Sequence, residues 1–161
     1  MHGDKPLMEA LALRSTSRAF ASDPLPMQTL SNLLWAAWGI NRPDKGLRTA
    51  PSAVNWQETD VHVVMESGAY VYNAKSNTLE PVATGDYRAM TGTQFFVNDA
   101  PITLVFVADA SRMKSASEDT KVPLQWATRR SSARMFTYSA LLRAWQPGFG
   151  RVLIGERLEM R

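Results

Sequence analysis

The chain has 161 residues, enough for one domain with a sizeable core and too few for two. Hydrophobic residues make up 45% and charged residues 20%, which describes a globular chain, and the absence of cysteine excludes disulfide frameworks, thiolate catalysis and cysteine zinc sites. The net charge of +3 hides a break, because residues 128–161 hold seven Arg and two Glu with no Lys or Asp, whereas residues 1–127 are slightly acidic and use both.

In chain order, Pro6 opens a short helical stripe at PLMEALALR, with Leu7, Met8, Leu11 and Leu13 as its apolar residues. A second helix is predicted in PMQTLSNLLWAAWGI, where Leu30, Leu33, Leu34, Ala37 and Trp38 share a face and Gly39 provides the stop. NRPDKGLRTAPS reads as a polar loop. The period then shortens to two, and residues 61–83 (VHVVM, SGAYVY, TLEPVA) predict a strand meander. Gly85-Asp86 opens a helical stretch through Met90, and TQFFVND predicts another turn or two of helix. ITLVFVA at 102–108 is near-continuously apolar and predicts a central strand. Beyond Pro123, the spacing of Met135, Tyr138, Leu141, Leu142 and Trp145 predicts an amphipathic helix over 132–145, ended by QPGFG, with a short strand at RVLIG. Helices followed by mixed strands and helices indicate an α+β fold. Residues 1–127 form its main portion, and 128–161 an atypical arginine-rich tail of the same domain. No apolar run reaches the roughly 20 residues of a membrane span, and MHGDKPLMEAL lacks a signal peptide's apolar stretch, so a cytoplasmic protein is expected.

The sequence offers no side chain dedicated to catalysis. His2 and His62 are far apart with no ligand spacing around them, so no metal site is expected, and the usual phosphate-loop, dinucleotide and hydrolase-elbow motifs are missing. Two segments remain. Arg14, Ser15, Thr16, Ser17 and Arg18 place two guanidinium forks and three hydroxyls within five residues, which suits a phosphate and equally suits a solvated helix end. In RTAPSAVNWQ, Arg48, Ser52, Asn55 and Gln57 precede a strand; Asn and Gln there either bond a heteroaromatic edge or satisfy the loop's own backbone.

Taken together, LRSTSRAF, LSNLLWAAWGINR, RTAPSAVNWQ, GAYVY and GDYR resemble the nitroreductase family of flavoproteins, from about Pro6 to Met113. The resemblance implies a mixed, mainly antiparallel sheet flanked by helices and a homodimer with FMN at the subunit interface. It implies that Arg14, Ser15, Thr16 and Arg18 hold the phosphate and ribityl end, and that Pro51, Ser52, Ala53 and Asn55 line the isoalloxazine. The activity implied is ping-pong hydride transfer, in which NAD(P)H reduces FMN and leaves before a nitroaromatic, quinone or similar electron-poor acceptor takes the same place. The cofactor carries that chemistry, so a missing side-chain acid or base counts little against an enzyme.

After about Trp126 the resemblance fails, leaving the fold incomplete at the C-terminus: a core helix reading roughly D-x-G-x-x-x-Q-N-V-Y-L, a G-L turn and a final strand are all expected and not found. Reading from the third codon base of Ala127 onward restores the helix segment and the turn. Met135-Phe136 must then give Val and Trp145-Gln146 must give Ala, and permitted codons elsewhere give D-T-A-Q-L-G-Q-N-V-Y-L-F-C-A-S-E-G-L-A. A frameshifted tail from about residue 128 is the expectation, with a genuine divergent terminus as the alternative. Two other functions stay open: an inactive, truncated remnant of the family, and a non-catalytic protein whose basic tail contacts nucleic acid or another polyanion. The second lacks any recognised nucleic-acid motif.

Overall fold

Pro6 opens helix α1 (Leu7–Leu13) and Pro26 opens helix α2 (Met27–Trp38) in the computed structural model, which describes residues 6–14, 18–20, 25–143 and 153–155. Both prolines stand just before the first helical turn, where a missing N–H costs nothing. The apolar stripe of α1 faces outward, with Leu7, Met8, Leu11 and Leu13 all exposed. That of α2 faces inward: Leu30, Leu33, Leu34, Ala37 and Trp38 are buried as their spacing predicts. Within the predicted loop, strands β1 (Ile40–Arg42) and β2 (Leu47–Arg48) close a small antiparallel ribbon, and Gly46 takes the positive φ of 61° that the turn requires.

The main sheet contains β3 (Thr59–Met65), β4 (Gly68–Asn73), β5 (Thr78–Thr84), β6 (Thr103–Ala108) and β7 (Leu153–Gly155), in the order β5-β4-β3-β6-β7. Every pairing is antiparallel except β6 with β7. Val61 pairs with Phe106 and Val63 with Leu104, so one face of the central pair carries an unbroken apolar patch under α2. A slip of one residue would turn that patch to the opposite face, which is how the alternation fixes the register.

Between β5 and β6 the chain makes two 3₁₀ turns, Arg88–Thr91 and Phe95–Asp99. The first replaces the longer helical stretch expected from Gly85. Asp86 accepts hydrogen bonds from the Arg88 N–H and from its guanidinium, while Arg88 also donates to the Ala100 carbonyl. The turn is therefore tied to its surroundings before a second helical turn can propagate.

Helix α3 (Glu118–Arg143) begins 14 residues before the amphipathic pattern predicts and runs through Pro123. That proline lies early in the helix, so it removes one bond near the end instead of breaking the middle. QPGFG lies outside the described residues. The strand read at RVLIG is β7, which pairs only with Thr103, Leu104 and Val105, so the remaining half of β6 has no strand on that side among the described residues. No helix among the described residues is long and apolar enough to cross a membrane.

Candidate functional site

The arginine–hydroxyl cluster begins where α1 ends. Arg14 leaves the helical region, its backbone N–H still bonded to the Leu11 carbonyl at 3.2 Å, and its side chain is exposed. Ser15, Thr16 and Ser17 lie outside the described residues. Arg18 is exposed as well, with its guanidinium 5.7 Å from the centroid of the buried Phe96 ring. A guanidinium resting on a ring face keeps its N–H edges free to point outward.

The second cluster is a loop under backbone tension. Val54, Asn55 and Gln57 have φ values of 50°, 57° and 49°, all in the left-handed region. For a β-branched valine that conformation costs on the order of 1–2 kcal/mol, and it persists only where surrounding contacts impose it. Those contacts can be named. The Ser52 hydroxyl donates to Glu58 Oε2 at 2.6 Å and accepts from the Gln57 N–H at 2.9 Å. Gln57 Nε2 donates to the Gly46 carbonyl at 2.8 Å and to Asn55 Oδ1 at 3.0 Å, while its Oε1 accepts from Arg48 Nε at 2.7 Å. Arg48 in turn donates to the Trp38 carbonyl at 2.8 Å, with its guanidinium 4.8 Å from the Trp38 ring centroid. Burial lowers the Arg48 pKa from its ordinary value, against the opposing pull of Asp60 and Tyr72. Burial likewise pushes the Tyr72 phenol up to about 12.

Of the alternatives that RTAPSAVNWQ left open, Gln57 takes the structural one, since its amide is spent inside the loop. Ser52 is spent inward as well. Pro51 and Asn55 are exposed, Ala53 is half-buried, and Val54 stands out at 81% exposure. Arg112 braces the loop from below: it donates to the Gln57 carbonyl at 3.0 Å and forks onto Asp60 at 2.9 and 2.6 Å, with Asp109 at 3.2 Å.

The two clusters sit on different segments of the fold. The loop leads directly into Thr59, the first residue of β3, which pairs with Ala108. Phe96, under Arg18, belongs to the turn that ends just before Ala100 and leads into Thr103, which pairs with Val64 near the other end of β3. The loop thus enters β3 at its first residue, whereas the turn that carries Phe96 leads into β6 opposite Val64 of β3.

Sequence reasoning missed Glu58, Phe96 and Arg112. Glu58 is completely buried, yet a charged residue directly before a strand reads as solvated loop. Nothing local in the sequence announces the contacts of Phe96 with Arg18 or of Arg112 with Asp60, because both are made across the fold.

The model of the Nitroreductase family matches residues 11–161, so the likeness continues through the arginine-rich segment, where the sequence reading expects it to fail after about Trp126. A Methanocaldococcus jannaschii protein, provisionally assigned as a nitroreductase, is 28% identical over 116 residues, covering 66% of this chain and 58% of its own. A crystal structure from Ralstonia eutropha, assigned in the same provisional way, superposes with a TM-score of 0.80 at 39% identity, over 85% of this chain and 65% of that one. A chain of the Escherichia coli microcin synthetase complex shares the fold at a TM-score of 0.64 and 18% identity, over 81% of this chain and 57% of its own. This chain thus spans about three fifths of the length of the relatives it matches.

Proposed function

This chain belongs to the nitroreductase family, and from that premise we propose that it is an FMN-dependent oxidoreductase passing hydride from NAD(P)H to a nitroaromatic, quinone or similar acceptor. The observation that carries this reading is the strained loop: three left-handed residues in a row of four, held from behind by Ser52, Gln57 and Arg48, with Asn55 exposed in front. Strain of this kind collects where a loop must meet a ligand in one fixed shape.

The residues present fit the cofactor at both ends. Arg14 and Arg18 offer guanidinium edges to a phosphate, with Ser15 and Thr16 between them in the sequence. Pro51 and Ala53 offer a small apolar edge to the ring, and Asn55, whose Oδ1 is bonded within the loop, keeps its amide N–H groups for a polar ring edge. FMN, when bound, would supply the hydride acceptance and donation that no side chain here can provide. The loop's part is to bind and orient the ring and to exclude water from one side of it.

The placement of the two clusters on different segments of the fold fits a homodimer. A second copy would bring its own cluster toward the first, and the outward stripe of α1 with the exposed Met27 and Val54 offers apolar surface for that contact. Purified protein carrying flavin absorbance and oxidising NAD(P)H only when a nitroaromatic or quinone is added is the expected result. Protein that takes up no FMN when titrated would overturn the reading.

A second reading draws on a different observation. Among the side chains described from Thr128 to Met135, α3 buries Thr128, Arg129 and Ser132, a polar set for a helix packed on α2 and the sheet. That face supports a non-catalytic family remnant whose residues past about 128 are read out of frame.

A further inference from the structure

We propose that Glu58 is the positioning residue of the ring-facing loop, its buried carboxylate acting through Ser52 to hold residues 53–57 in the left-handed course that turns Val54 and Asn55 outward. What the loop presents rests on the flavin reading above; how it is held rests on the geometry alone.

Glu58 cannot follow the loop if the loop moves. Its backbone carbonyl accepts the Asp109 N–H at 2.7 Å, which anchors it to the far end of β6, and its side chain is fully buried. The carboxylate accepts the Ser52 hydroxyl proton, and that fixes where the hydroxyl's own lone pairs point. One of them receives the Gln57 N–H, so a single serine closes the chain between residues 52 and 57 around every strained position. The hydroxyl orientation is thus set by Glu58 and transmitted to the backbone at Gln57.

The second carboxylate oxygen gives an independent reason to look for a role. Glu58 Oε1 is buried with no hydrogen-bond partner. A leucine of similar volume would fill the same space without that desolvation penalty, so packing does not account for a carboxylate here. The bond to Ser52 is what an apolar residue could not supply.

Three variants separate the alternatives. Glu58→Gln keeps an acceptor oxygen, Glu58→Leu keeps only volume, and Ser52→Ala cuts the link from the loop side. FMN affinity is read by fluorescence titration, and amide hydrogen exchange at Val54, Asn55 and Gln57 is read in flavin-free protein. Glu58→Leu and Ser52→Ala are each expected to weaken FMN binding about tenfold, the scale of one hydrogen bond to a charged group, and to speed exchange at Gln57. The double variant is expected to lie within about twofold of either single one, because both break the same link. Glu58→Gln is expected to restore slow exchange and to bind FMN within about threefold of the unsubstituted protein.

Exchange at Gln57 unchanged in Ser52→Ala would overturn the proposal, as would additive losses in the double variant or no rescue by Gln. If Glu58→Leu does not fold, Ser52→Ala reads the same link. If the unsubstituted chain takes up no FMN, the flavin reading fails, while the exchange measurement still decides whether Glu58 holds the loop.

Discussion

The sheet with α2 and the inward face of α3 are both buried, yet they are built from different chemistry. Leu30, Leu33, Leu34, Val61, Val63, Ile102, Leu104 and Phe106 form one apolar cluster in which helical spacing, strand alternation and burial agree. On α3, among the side chains described up to Met135, the buried positions are Gln125, Thr128, Arg129 and Ser132, with Ala133 packed against the apolar cluster. Over residues 125–132 the helical period is satisfied and the composition is not. Period alone can come from chance or from a neighbouring reading frame, whereas agreement between period, burial and residue type is what selection for a core leaves behind. In the out-of-frame run D-T-A-Q-L-G the positions of Thr128, Arg129 and Ser132 read Asp, Thr and Leu, so the charge of Arg129 is lost and Ser132 becomes apolar.

The largest expected effect comes from erasing that contrast. On the frameshift and flavin readings, restoring the alternate frame after about Trp126 is expected to tighten FMN binding on the order of a hundredfold, because the added segment would bring several polar contacts and a drier pocket together. The repaired chain should also turn over NAD(P)H faster with a quinone acceptor. Sequencing the encoding DNA comes first: codons whose shifted translation runs into early stops would falsify the frameshift reading. Equal activity of the two chains would show that the altered residues are dispensable.

Within the consistent half, Leu33→Ala should cost about 2–5 kcal/mol of stability in chemical denaturation, since this α2 side chain is wholly enclosed in the apolar cluster shared with the sheet. A cost below that range would mean the core can close over the gap, and the contrast with α3 would lose its sharper side. Arg14→Ala and Arg18→Ala act on binding instead. Each is expected to weaken FMN affinity by ~1.5–3 kcal/mol, the scale of a charge-assisted hydrogen bond to phosphate. Arg18 carries a further signature, because its loss also uncovers the face of Phe96. Unchanged affinity in both variants would remove that cluster from the site.

Legibility in the sequence followed the same division. α2, the meander and β6 were readable because one periodic signal coincided with burial, and Gly39 marked the helix stop. The first 3₁₀ turn was misjudged because the Asp86–Arg88 bonds that arrest it look, in sequence, like an ordinary helix start. The N-terminal half of α3 was missed because Glu118–Gln125 is polar and interrupted by Pro123. For the candidate site, residue types gave the two segments but not which ends of the fold they adjoin, which depends on the antiparallel register of β3 and β6. The left-handed φ of Val54 was illegible for a physical reason: valine is among the residues least suited to it, and only the tertiary ties through Ser52, Gln57 and Arg48 impose it.

The smallest expected effect tests the polar half at one atom. Ser132 is fully buried on α3, and its Oγ has no hydrogen-bond partner. Folding strips water from that hydroxyl and returns nothing, so Ser132→Ala should stabilise the protein by up to about 1 kcal/mol, helped slightly by alanine's better helix propensity. Buried hydroxyls without partners also occur in the sheet, at Thr59 and Thr103, so the comparison needs a matched control there. Thr103→Val keeps the shape of the side chain in a strand that suits valine, and it too should be neutral or mildly stabilising. Gains at both positions would show that a lone hydroxyl does not distinguish the regions, leaving buried volume and charge on α3 to carry the contrast. A loss above about 1 kcal/mol for Ser132→Ala alone, read from paired denaturation curves, would mean that the hydroxyl is engaged in solution. The inward face of α3 would then be a fitted surface, and the case for an out-of-frame helix would weaken at the position where it is easiest to measure.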